Sequence, residues 1–176
     1  MQETLRYIVL ALVLSVLALG AKVDARVPTD SRIVGGAENL DGLVMDFLAA
    51  LEQRDEEALR RLRFSETEYR HYVVPGNVAP GEAPQILDPE ASAYFWGVLD
   101  AKSRAHEGML VSIYGGRAQR VEKISFEKGY REYEGHRAWR QLVLDVADEE
   151  GGRRRIRTGS ILELDGRYKF VSFIRD

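Results

Sequence analysis

The chain contains no cysteine, which removes disulfides, thiolate metal sites, a thiol nucleophile and a lipidated N-terminal cysteine in one step. It has little charge of either sign in excess. Its 176 residues carry 25 Lys and Arg against 28 Asp and Glu, a net of −3, so no broad electrostatic pull toward nucleic acid or anionic membrane follows. Histidine is scarce: His71, His106 and His136 lie far apart and none stands in a spacing such as H-E-x-x-H, so no metal site and no cofactor are expected. There is no G-x-S-x-G nucleophile elbow and no G-x-x-x-x-G-K-[ST] phosphate loop. Proline is nearly confined to one stretch, with four of the five between Pro75 and Pro89, which marks that stretch as loop.

What is present suits one globular domain of ordinary size. The chain is 45% hydrophobic and 30% charged, enough apolar material to build a core. Tyr7 to Gly20 is apolar apart from Ser15. That run is short for a membrane span, which needs about 20 residues, but fits the apolar stretch of a signal peptide. Val23-Asp24-Ala25 offers a cleavage site, and an uncleaved N-terminal anchor is the alternative. Residues 1–25 are therefore read as signal or anchor, 26–37 as linker and 38–176 as a single domain. The expected location is secreted or periplasmic, with membrane contact only through the N-terminal segment if it is retained.

Within the domain the apolar spacing is helical first. Leu40, Leu43, Val44, Phe47, Leu48 and Leu51 recur over three turns, with Asn39 or Asp41 to cap them. Asp55 caps a second helix, and Ser65-Glu66-Thr67-Glu68 spells a capping box for a third, carrying Tyr69 and Tyr72. Asp88-Pro89-Glu90 starts a longer helix through Tyr94, Phe95, Val98 and Ala105, and a continuation past Gly108 to a stop at Gly115-Gly116 is the longer alternative. Strands follow around Val121–Phe126, over 138–147, over 154–164 and over 167–174. A two-residue turn at Gly151-Gly152 would set Asp148, Glu149 and Glu150 opposite Arg155, Arg154 and Arg153 and put Asp145 opposite Thr158. A turn at Asp165-Gly166 would set Ile161 opposite Phe170.

Those registers put Leu142, Leu144, Val146, Ile161, Tyr168 and Phe170 on the helix-covered face. Trp139, Val143, Ile156, Leu162, Val171 and Phe173 fall on the other; a four-residue first loop would keep this assignment and a three-residue loop would flip it. A sheet apolar on both faces needs cover on both, so the second face is expected to meet a partner or second copy, or to lie under the Pro-rich loop.

This order of helices followed by a bent antiparallel meander, ending in the hairpin Gly159 to Phe170, resembles the cone-shaped α+β superfamily of ketosteroid isomerase, scytalone dehydratase and nuclear transport factor two. The resemblance covers Leu40 to Asp176 by order of elements. It implies an α+β fold in which N-terminal helices pack on a strongly bent antiparallel sheet (a cystatin-like cone). It carries over no catalytic set, and the superfamily contains enzymes, ligand binders and interaction domains alike. Arg140, Arg157, Glu163 and Tyr168, assigned to the helix-covered face, are the candidate ligand-binding residues for a small apolar or anionic ligand. Trp96 shares the polar stripe of its helix with Asp100 and Ser103, while Tyr94 and Phe95 share the stripe expected to face the core. Trp96, Trp139, Val171 and Phe173 are the candidate interface, for a homodimer or an envelope protein. The expected function is a non-catalytic ligand-binding or protein-interaction domain of the cell envelope. The alternative is an isomerase or dehydratase acting on a small apolar substrate.

Overall fold

Asn39 ends the extended chain and accepts a hydrogen bond from Gly42 N, starting α1 (Leu40–Gln53) with its apolar stripe turned inward. This computed structural model describes residues 33–175. The apolar run at Tyr7–Gly20 and the first residues of the expected linker lie outside the described residues. From Ile33 the chain is fastened to the domain: Ile33 is buried, and Ala37 exchanges two backbone hydrogen bonds with Tyr168.

Asp55 caps α2 (Glu56–Arg61), and Ser65 with Glu68 forms the expected capping box at α3 (Glu66–Glu68). The helix does not stop there. A π-helical turn, Tyr69–Val73, and α4 (Val74–Gly76) continue it. The wider turn closes on a bond from Val74 N to Tyr69 O, and such turns inside helices are frequent at functional sites. After the Pro-rich loop, Asp88 caps α5 (Pro89–Tyr114), which runs through Gly108 to Gly115.

The strands form two antiparallel sheets, so the fold is α+β. One sheet has the order β1-β4-β5 and the other β2-β3-β6-β7. The expected strand over 138–147 is divided into β3 (Arg137–Trp139) and β4 (Leu142–Asp148), with Gln141 between them at φ 61°. The expected strand over 154–164 is divided into β5 (Arg153–Arg157) and β6 (Ile161–Leu164). The preceding pair divides in the same way, into β1 (Gln119–Phe126) and the unanticipated β2 (Tyr130–Glu132), at Gly129 with φ 65°. The three breaks lie side by side: Arg140 N donates to Gly129 O and Leu142 N to Gly159 O. Irregularities aligned across neighbouring strands turn a sheet through a corner.

The last hairpin has the expected register. Ile161 pairs with Phe170 and Glu163 with Tyr168 into β7 (Arg167–Phe170), over a turn whose two residues, Asp165 and Gly166, both have positive φ. The hairpin at Gly151-Gly152 does not. Asp145 faces Arg155, not Thr158, and Ala147 faces Arg153. The turn is wider because Asp148 closes it on itself, its carboxylate accepting from Gly152 N at 2.6 Å and its carbonyl from Gly151 N. The offset is odd, so the side chains of β5 change face. Ile156 enters the core, and the arginines find other acids: Arg155 pairs with Asp145, Arg153 with Glu122 and Arg157 with Glu127.

The main core packs α1 against Leu142, Leu144, Val146, Ile156, Ile161, Phe170 and Phe173. Phe173, expected on the outer face, is fully buried against Phe47 and Phe170. The second face of the larger sheet is covered within the chain. Ala138, Leu162 and Leu164 pack with Ile33, Phe64 and Val73 of the N-terminal and α3–α4 segments. A buried ion pair fixes that layer: Lys169 Nζ contacts both Glu68 oxygens at 2.8 and 3.0 Å and donates to Val34 O at 2.9 Å.

Helix α5 is mounted the other way round from the expectation. It turns Ser92, Ser103 and Glu107 to the body along with Leu110, and leaves Tyr94, Phe95, Val98, Met109 and Ile113 exposed. The polar stripe wins the inner side because partners await it there. Asp100 meets Arg63 at 3.1 Å, Glu107 meets Arg60 at 2.9 Å, and Ser103 Oγ accepts from Phe173 N at 2.9 Å. A buried polar group that finds its partner costs little, and one left without costs much. Trp96 belongs to this inner stripe, against Tyr69 and beneath the Arg63 guanidinium.

Candidate functional site

The π-helical turn, the Pro-rich loop, α5 and the second face of β3 and β6 line a cavity of about 410 Å³ that opens to solvent, within the range of small-molecule sites. Its walls are mainly apolar, with Val73, Leu87, Phe95, Leu99 and Leu162 among them. The polar groups that reach it are Tyr69, Tyr133, His136, Arg140 and Ser160, with Asn77 and Gln85 from the loop side. Among the described residues no Asp, Glu or Lys lines it, and Arg140 is the one arginine.

Each polar group is placed by a local feature of the sequence. His136 precedes β3 and turns inward, its ring stacked on Tyr133 at 4.8 Å between centroids. Arg140 stands at the corner between β3 and β4, with its N–H spent on Gly129 O. Its guanidinium has no carboxylate partner among the described residues. Ser160 stands at the matching corner, where its Oγ accepts from Gln141 N at 3.4 Å. Tyr69 opens the π turn, and burial raises its hydroxyl above the ordinary value.

His136 is 6% exposed, its Nδ1 has no hydrogen-bond partner among the described residues, and burial pushes the imidazole down to about 4. The ring is therefore neutral at pH 7. An N–H at the enclosed, partnerless Nδ1 would be a buried orphan donor, the costlier of the two alternatives. We accordingly assign the proton to Nε2. With His136 neutral, the charge of the cavity wall is that of Arg140.

A pH effect follows. In the unfolded chain the ring takes up a proton near its ordinary 6.5, and in the folded chain only near 4. Between those values the unfolded chain binds the extra proton. The penalty is absent above pH 6.5 and grows as pH falls to 4, reaching about 3 kcal/mol. Urea unfolding at pH 7 and pH 4.5 should show this loss in the native chain and a smaller one in His136→Phe. The same pH slope in both would contradict the neutral assignment.

The residues expected to bind a ligand are not gathered together. Arg140 reaches the cavity, but Arg157 lies outside, paired with Glu127 at 2.7 Å. Glu163 and Tyr168 pair on the opposite face of the larger sheet, where Glu163 also meets Arg137 at 3.4 Å. Burial first, and then the neighbouring Glu163, raise the Tyr168 hydroxyl. The separation arises at Gln141, whose left-handed backbone breaks the alternation that had placed Arg140 with Glu163.

Of the expected interface residues, Val171 lines the cavity, and Phe173 presents no surface to a partner. Trp139 stacks between Phe126 and Tyr130, each at 5.4 Å. Asp145 is held below the ordinary carboxylate range by the hydrogen bond from Arg155, and His71 and His106 turn Nδ1 to backbone carbonyls of their own helices. No group of three or more His, Asp or Glu able to hold a metal occurs among the described residues.

A broader groove of about 860 Å³ runs past α1, α2 and the N-terminal segment. Its basic residues already face acids: Arg60 with Glu56 and Glu107, Arg61 with Glu57, Arg63 with Asp100 and Lys169 with Glu68. The smaller cavity, with its unmatched guanidinium, is the better candidate for a charged ligand. Comparison with family models, with curated proteins and with solved structures finds no match to the chain.

Proposed function

We propose that this chain is a non-catalytic ligand-binding domain of the cell envelope, and that its cavity takes a small apolar molecule ending in a carboxylate or comparable monoanion. The observation that carries the reading is Arg140, without a carboxylate partner, lining a mainly apolar cavity to which no Asp, Glu or Lys contributes among the described residues. An anionic head satisfies that charge, Ser160 and the neutral His136 offer further hydrogen bonds, and Phe95, Leu99 and Leu162 receive the apolar body. The aligned breaks at Gly129, Gln141 and Gly159 support reading the bent sheet as the cone of the superfamily named above. The apolar run Tyr7–Gly20 supports export or anchoring.

Acid–base turnover is the weaker reading. The cavity offers no carboxylate, and a His136 held near 4 is a poor base at neutral pH.

Octanoate and 2-naphthoate, each compared with its uncharged alcohol by calorimetry, test the proposal. The acids should bind and the alcohols should bind at least about tenfold more weakly, as should the acids to Arg140→Gln. Equal affinity for acid and alcohol, or unchanged binding in Arg140→Gln, would remove the anion site.

A further inference from the structure

The outer side of α5 is an apolar face left uncovered by the described residues, with Phe95 at the edge it shares with the cavity. Tyr94 is 68% exposed, Phe95 50%, Val98 37%, Met109 47% and Ile113 51%. Ala91, Ala101 and Ala105 complete the same stripe, and Lys102 is the charged residue that interrupts it. Surface helices ordinarily point such a stripe at the core. Here Ser92, Asp100, Ser103 and Glu107 take the core side together with Leu110, and none of the described residues covers the apolar stripe.

We infer that this face is a two-fold interface between two copies of the chain, formed by α5 packing antiparallel on its counterpart and crossing near Ala101 and Ala105. The area supports the assignment. The stripe offers on the order of 500 Å² of apolar surface per copy, so a pair buries about 1,000 Å² before its polar rim is counted, the size a specific interface has to reach.

The shape of the stripe supports it as well. An isologous contact requires a patch complementary to itself. This one is bulky at both ends, with Tyr94 and Phe95 at one and Met109 and Ile113 at the other, and small in the middle. Gly97 and Gly108, interior helix positions where glycine costs about 1 kcal/mol against alanine, both face open space. Antiparallel pairing brings the aromatic end of one helix onto the Met109 end of the other, a favourable sulfur–aromatic contact. The small centre lets the two backbones approach. Lys102 carries its charge out of the seam on its flexible stem.

Sedimentation velocity on the full chain tests this, at concentrations up to about 100 μM, where an interface of this size associates. The native chain should be dimeric. Val98→Glu should weaken association about tenfold or more by placing a charge in the seam, with circular dichroism and thermal midpoint unchanged because Val98 belongs to neither core cluster. Because the chain has no native cysteine, Ala101→Cys gives a clean second readout. It should form a cross-linked dimer under mild oxidation, whereas Lys123→Cys on exposed β1 should not. A monomer at the highest concentration would overturn the inference and leave the face to the N-terminal apolar run or a different protein. A dimer that survives Val98→Glu, or cross-linking no faster at Ala101 than at Lys123, would overturn it equally.

Discussion

Lys169→Met is expected to lower the unfolding free energy by about 3 kcal/mol. Lys169 is 4% exposed and Glu68 5%, and both Glu68 oxygens bond to the ammonium. Removing the cation leaves the carboxylate buried. It keeps donors from Ser65 N at 2.7 Å and Val34 N at 2.9 Å, which holds the loss to the lower part of the range for a broken buried pair. Burial by itself would push the Glu68 carboxyl up, but the hydrogen bonds from Lys169 and Ser65 outweigh it and hold the carboxyl below its ordinary value. The pair therefore stabilises above the ordinary carboxylate value, and that contribution is lost as pH falls through the lowered one. Without Lys169 the acid limb of the stability curve should move to higher pH. Glu68→Gln in the Lys169→Met background should recover part of the loss, because a neutral amide replaces the stranded charge. Chemical denaturation of the two single variants and the double gives the coupling directly. A single-variant loss below about 0.5 kcal/mol, the range of an exposed pair, would show that the interaction contributes no more than a surface contact.

Gly159→Ala carries the other large effect. A Cβ at this position would press into the Ser172 carbonyl oxygen, 2.7 Å from its carbon and 3.1 Å from Ile174 O. These obstacles are backbone, so no rotamer relieves the overlap. The segment after β7 would have to move, and with it the fully buried Phe173 and the bond from its N–H to Ser103 on α5. The expected loss is about 3 kcal/mol, at the upper end for overpacking a rigid site. It should be accompanied by faster hydrogen exchange at Phe173 N–H. Gly166→Ala provides a contrast: its Cβ would meet open space, and the cost is that of left-handed backbone alone. Equal destabilisation by the two substitutions would mean that the close approach at Gly159 is relieved elsewhere in the chain.

These two positions sit where the chain's local signals give out. The caps at Asn39, Asp55, Ser65 and Asp88 were readable because each is a contract between residues two or three apart. The hairpin at Asp165-Gly166 was readable for the same reason, since two adjacent residues suited to left-handed backbone set its register. Gly151-Gly152 looked like an equal signal. There the side chain of Asp148 competed for the turn, and an odd register offset changed the face of every residue in β5. The corner at Gly129, Gln141 and Gly159 gave no warning in Gln141 itself. A residue without special preference for left-handed backbone is held there by the bond its carbonyl accepts from Glu127 N and the one its N–H donates to Ser160 Oγ.

The candidate site divides along the same line. Arg140 was identifiable as a cation within an apolar strand pattern, but its companions were not. Glu163 and Tyr168 would share its face only if the strand were unbroken, and Arg157 only if β5 also kept the expected register. His136 reads in sequence as one more isolated histidine, and the stacking of Tyr133 and the approach of Gly76 belong to the tertiary structure.

By itself the sequence determined the order of helices before strands, the capped helix starts, the α+β class and the absence of any chemistry that needs cysteine. Those follow from composition and from contacts within a turn or two of chain. Tertiary structure alone decided which side of α5 faces inward. Periodicity locates an apolar stripe and a polar stripe on opposite sides of a helix. It does not say that Arg60, Arg63 and Phe173 N–H, distant in sequence, are waiting for the polar one.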